Sequence, residues 1–177
     1  MYLKRIVLER IRAFDHLDFD LERPDETYAG WTAITGDNGS GKSTLLKAVA
    51  LAVSGKTTAQ VLQPSLQGWV RSGARDATIA VEIAITSGDD SFAGQGRTTA
   101  NSFWAELQLS ENDGAEPELR PGKQYTKKGK TPIRGPWADS PTGWFCCGYG
   151  PFRRLYGASA DAMRLMAGPS RIARFVS

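Results

Sequence analysis

Gly36-Asp37-Asn38-Gly39-Ser40-Gly41-Lys42-Ser43, followed by Thr44, decides how the rest of the chain is read. It satisfies the pattern G-x-x-x-x-G-K-[ST] at every fixed position, the spelling of a phosphate-binding P-loop. Glycines at 36, 39 and 41 let the backbone turn on itself, so that the loop amides, including those of Asp37, Asn38 and Ser40, point inward at an anion. In that arrangement Lys42 reaches the β- and γ-phosphates of a nucleoside triphosphate, the Ser43 hydroxyl completes the shell of a Mg2+ ion, and Thr44 adds an α-phosphate contact. The positive end of the following helix contributes only about 0.3–2 kcal/mol. Micromolar binding needs about 8 kcal/mol, so amide donors, Lys42, the metal and contacts to the base must supply the rest.

The context agrees with the motif. Trp31-Thr32-Ala33-Ile34-Thr35 is short, apolar to β-branched, and reads as a buried strand entering the loop. Downstream, Leu45, Leu46, Val49, Ala50 and Val53 recur at helical spacing until Ser54-Gly55 stops the pattern. Strand, glycine loop, helix is the order a P-loop requires, and a chance glycine-rich turn does not account for it.

At 177 residues the chain has the length of one domain. A hydrophobic share of 41% and a charged share of 23% are those of a soluble globular protein. The N-terminus enters an alternating strand containing Lys4 and Arg5, with no signal-peptide pattern. The longest apolar run, Leu45 to Val53, is too short to span a bilayer and contains Lys47; the expectation is a cytoplasmic protein without a membrane segment. The only cysteines, Cys146 and Cys147, are adjacent, and with the single His16 they fall short of a metal site. A net charge of +3 permits nucleic-acid contact without arguing for it.

Ahead of the loop, Tyr2 to Glu9 reads as a strand, and His16 to Glu22 alternates apolar and acidic residues in a second, half-exposed one. Pro24-Asp25-Glu26 closes it with turn chemistry. Beyond the first helix, Val61, Leu62, Leu66, Trp69 and Val70 are apolar enough to dock on the domain, and Pro64 interrupts any single long helix. Ala77 to Thr86 forms a half-exposed strand with Ile79, Val81, Ile83 and Ile85 on its apolar face. Asp89-Asp90 are separated from it by Thr86-Ser87-Gly88 and do not close a buried magnesium-binding strand.

Residues 87–142 are rich in glycine, proline and charge, with one strand expected from Phe103 to Leu109. Their basic run, Arg120, Lys123, Lys127, Lys128, Lys130 and Arg134, is either a nucleic-acid phosphate contact or a solvated hairpin. Trp144-Phe145-Cys146-Cys147 suits a buried strand, and Gly148 to Arg154 a loop in which Arg153 and Arg154 face phosphate, a partner or solvent. Ser159 caps a short helix over Asp161–Ala167 that Gly168-Pro169 stops.

The order Ile6-x-Leu8-x-x-Ile11-Arg12-x-Phe14, an alternating acidic strand, then Ile34 through Leu46 with the glycine motif inside it, resembles the N-terminal part of an ABC-class ATPase head. More narrowly it is similar to the RecF, RecN and structural-maintenance-of-chromosomes (SMC) branch and its stand-alone AAA-type bacterial relatives. The resemblance covers residues 2 to about 55. It implies an α/β fold: the N-terminal lobe of a P-loop NTPase with an antiparallel β-subdomain and an incomplete second half. The lobe would comprise 1–86 as hairpin, loop, helix and strand, 87–142 as a basic insertion, and 143–177 as a strand and the start of a helical region.

The resemblance also implies that Arg12 sits near the bound nucleotide. Where the family carries a Q-loop glutamine, Tyr149 is the nearest residue by spacing. A signature loop, an apolar strand ending in Asp-Glu and a switch histidine do not follow the P-loop. A correctly placed base contributes about 10²- to 10⁴-fold in rate, so the expectation is Mg-ATP binding, with hydrolysis as a homodimer only if the intact protein continues past Ser177. The alternatives are a non-hydrolysing regulatory module and a small P-loop kinase. The leading hairpin speaks against the kinase, and the lack of an Asn-Lys-x-Asp segment against a GTPase.

Overall fold

The computed structural model describes residues 1–25, 27–28, 30–86 and 102–122. Along them run β1 (Tyr2–Ile11), β2 (Phe14–Asp20), α1 (Lys42–Ser54), α2 (Lys56–Leu62), β3 (Asp76–Ala84), β4 (Ser102–Asn112) and β5 (Ala115–Pro121). The strands form one sheet in the order β2-β1-β3-β4-β5, antiparallel at every pairing.

Period-two alternation fixes which face is dry. Ile6 and Leu8 of β1, Ala77, Ile79, Val81 and Ile83 of β3, and Ala105, Leu107 and Leu109 of β4 are buried in one cluster. Register aligns them across the sheet, with Leu8 opposite Ile79 and Ile79 opposite Leu107. Leu45, Ala48, Leu51 and Ala52 of α1 join the same cluster, the helix lying against β3 and β4 while α2 reaches β5. Gly55, at φ 77°, ends α1, and its N–H donates to the Ala52 carbonyl; α2 starts at the next residue. The opposite face carries ion pairs, including Arg5 with Asp18 and Lys4 with Glu22. The Arg5 hydrogen bonds hold the Asp18 carboxyl below the usual carboxylate range.

The expected strand over Trp31–Thr35 is not formed. These residues pair with no strand among the described residues, Trp31 is 95% exposed, and only Ile34 packs against the core. β-branched composition favours a pleated surface but cannot create the neighbouring strand that a ladder needs. The region after Leu109 also differs: β4 continues to Asn112 and a further strand, β5, follows where loop was expected. Asp113-Gly114, both at positive φ, form the two-residue turn between them. Pro117 is accommodated because β5 is an edge strand and its pairing slips between Ser110 and Asn112. On β3 the face expected to be wet is partly closed, since Ala80 and Ala84 are buried. Val61, at 38% exposure, does not dock, whereas Leu66, Trp69 and Val70 do.

Ile79, fully buried in the central strand, should lose about 2–5 kcal/mol on replacement by Ala. Trp31→Ser should stay within about 0.5 kcal/mol of the parent. Urea midpoints of the two variants check both values, and a large loss for Trp31→Ser would mean that the segment is packed after all.

Candidate phosphate-loop site

The sequence places Gly36–Gly41 between the unpaired segment and α1, so that loop and helix are continuous. Gly36 to Ser40 are exposed, Gly41 and Lys42 half-buried, Ser43 exposed and Thr44 half-buried. Lys42, Ser43 and Thr44 form the first turn of α1, which has Gly41 as N-cap without a side-chain cap and no acidic residue. The first amides of a helix have no intrahelical acceptor; here the first turn offers them no carboxylate.

Two glycine positions depend on the missing side chain. Gly41 has φ 93° and ψ 3°, and a Cβ there would lie 2.5 Å from Cζ of Phe14. Gly36 has φ 151°, and a Cβ would fall 2.9 Å from the Ser40 hydroxyl. Lys42 folds back across this tight loop: its Nζ donates to the carbonyls of Gly36 and Asp37, at 2.6 Å each, with Ser40 Oγ at 3.5 Å. The ammonium is thus held over the loop by neutral acceptors.

Arg12 occupies the two-residue turn joining β1 and β2, where Ile11 pairs with Phe14. Phe14 brings the turn to the loop through its contact with Gly41. Arg10 and Arg12 both have positive φ, 52° and 49°, which costs about 1–2 kcal/mol for each side-chain-bearing residue. The segment Leu66–Arg71 over-determines that conformation. Arg12 N–H donates to the Trp69 carbonyl (2.9 Å) and Arg71 N–H to the Arg10 carbonyl (2.8 Å). Arg71 Nη1 donates to the carbonyls of Arg12 (3.2 Å) and Ala13 (2.9 Å), while Arg71 also lies 3.8 Å from Asp15.

The Arg12 guanidinium stands 4.6 Å over the Trp69 ring. Trp69 is fully buried, and its indole Nε1 has no hydrogen-bond partner among the described residues. Such an unsatisfied donor costs about 1–3 kcal/mol. From the sequence, Trp69 reads only as an apolar docking residue; the signal that pairs it with Arg12 is a contact between positions 57 residues apart, which no local pattern records.

The structure therefore brings Gly36 through Thr44 together and sets the Arg12 turn beside them through Phe14. Arg120 is elsewhere, on β5, hydrogen-bonded to Glu118, whose carboxyl is held below its ordinary range by that bond. Lys123, Lys127, Lys128, Lys130, Arg134, Cys146, Cys147, Tyr149, Arg153, Arg154 and the expected 161–167 helix lie outside the described residues, as do Asp89 and Asp90. Among the described residues no cluster of His, Cys, Asp and Glu is arranged to hold a metal, and no helix is long and apolar enough to cross a membrane.

Residues 5–135 match the AAA domain family. Among solved structures the chain is similar to one from work on ATP-driven dimerisation and DNA-stimulated activation of SMC ATPases, with 17% identity and a TM-score of 0.48 over 70% of this chain and 74% of that one. No curated protein sequence matches.

Gly41→Ala is expected to strain the backbone and push on the Phe14 ring, costing about 1–3 kcal/mol of stability and weakening nucleotide binding with it. Urea unfolding and an Mg-ATP titration of the same variant check both effects.

Proposed function

The chain belongs to the AAA domain family and is an ATP-binding ATPase domain; from that premise we propose that it grips Mg-ATP with the loop from Gly36 to Thr44. The observation that carries this reading is the posture of Lys42, whose ammonium is held over the loop by the Gly36 and Asp37 carbonyls. Carbonyl dipoles orient the cation without cancelling its charge, which leaves it free to pair with phosphate. Loop amides and the first turn of α1 donate to phosphate oxygens. Ser43, exposed at the start of α1, offers its hydroxyl to Mg2+, and Thr44 contacts the α-phosphate. The metal supplies charge neutralisation on the phosphates when bound.

Arg12 is the further cation at the site, placed by the hairpin turn that Phe14 anchors on Gly41. A guanidinium suits this role because its planar fork meets phosphate oxygens in pairs. Residues 1–177 act in this reading as one N-terminal lobe of an SMC/RecF-like head. Hydrolysis takes place between two such heads, in a dimer that serves DNA repair, chromosome maintenance or phage defence.

Lys42→Ala should weaken Mg-ATP binding at least about tenfold, since a charge-assisted hydrogen bond contributes about 1.5–3 kcal/mol, with circular dichroism unchanged. Isothermal titration checks this, and undiminished affinity would sink the assignment. Removing Mg2+ with EDTA should weaken ATP binding in the parent, and Ser43→Ala should shrink the difference between metal-loaded and metal-free titrations.

A further inference from the structure

The geometry points to Trp69 as the positioning residue for Arg12: the buried indole face holds the guanidinium, and with it the turn beside the phosphate loop, in the orientation used for nucleotide. This rests on the reading of Arg12 as a nucleotide contact and adds the residue that makes the contact effective.

Three observations converge on it. The guanidinium is centred 4.6 Å from the ring, within the range in which a cation is attracted to an aromatic face, and Trp has the strongest such face. The ring is fully buried, so the attraction is not diluted by water on the far side. Its Nε1 has no partner among the described residues. Among the described residues the contribution particular to the indole is therefore its face.

The backbone is tied to the same place. Trp69 C=O accepts from the Arg12 amide, and Arg71 Nη1 donates to the carbonyls of Arg12 and Ala13. One short segment thus fixes both ends of the residue: its main chain at positive φ and its charged head. A free arginine side chain samples many rotamers, and holding it in one before the ligand arrives removes that entropy from the cost of binding.

The experiment is a double-mutant cycle read by Mg-ATP titration of the full chain, using Arg12→Ala, Trp69→Leu and the pair. Trp69→Leu should weaken Mg-ATP several-fold, approaching the loss in Arg12→Ala, and the double variant should bind no worse than Arg12→Ala alone. Trp69→Phe keeps a ring and should recover most of the loss. A merely structural Trp69 would instead lower affinity in both backgrounds equally, and such additivity overturns the proposal. A large effect of Arg12→Ala with none for Trp69→Leu overturns it while leaving Arg12 at the nucleotide. No effect of either, with Lys42→Ala still impaired, removes Arg12 from the site and the proposal with it.

Should Trp69→Leu not fold, 5-fluorotryptophan incorporation weakens the ring face while preserving its packing. Affinity should then fall in the parent and stay unchanged in Arg12→Ala; equal responses overturn the assignment.

Discussion

The contact between the Phe14 ring and the bare Cα of Gly41 is the constraint on which the rest of the site depends. It joins two elements that have separate reasons to exist: a hairpin stabilised by the sheet core, and a glycine loop stabilised by the helix it opens. Without a Cβ at 41 the ring can approach closely, so the position of the loop is referred to β1 and β2. The same contact puts the Arg12 turn next to the loop. A side chain at 41 would open this joint and separate a cation on one element from the loop on the other.

The sheet is the platform for that joint. β1 and β3 are central strands, and their inward residues form one core with α1. The start of α1 cannot move relative to the sheet without opening contacts of Leu45, which is buried three residues after Lys42. Burial of a Leu side chain contributes about 1.5–3 kcal/mol, so the first turn of the helix is anchored by packing just behind the residues that face solvent. The loop needs this support because its own residues are largely exposed and contribute little to the core.

Much of this was legible in the sequence because it follows local rules. The P-loop spelling located the loop, the spacing of Leu45 through Val53 located α1, and period-two alternation found β1, β2, β3 and β4. What failed depends on distant partners. Trp31–Thr35 has strand composition but no ladder among the described residues. β5 was hidden by Pro117 and by charges at Glu116, Glu118 and Arg120, although Asp113-Gly114 between two runs is a hairpin signal that composition obscured. Trp69 read as an apolar residue, which its burial bears out, but its position under Arg12 comes from tertiary packing and has no periodicity to reveal it.

The arrangement of cations explains how two cations near the loop can stay available in a chain that also carries many carboxylates. Arg5, Arg10, Arg71, Arg120 and Lys4 each meet a carboxylate, and those pairs lie on the sheet and its connecting turns. At the loop the pattern changes: Lys42 is held by backbone carbonyls and Arg12 by an aromatic face. Both supports are electron-rich, so they orient a cation, yet neither carries a net negative charge. A carboxylate in the same place would have to be displaced before phosphate could bind, at the cost of leaving one charge without its partner. Holding the cations with dipoles and a ring therefore combines order with availability, which suits the proposed site for Mg-ATP.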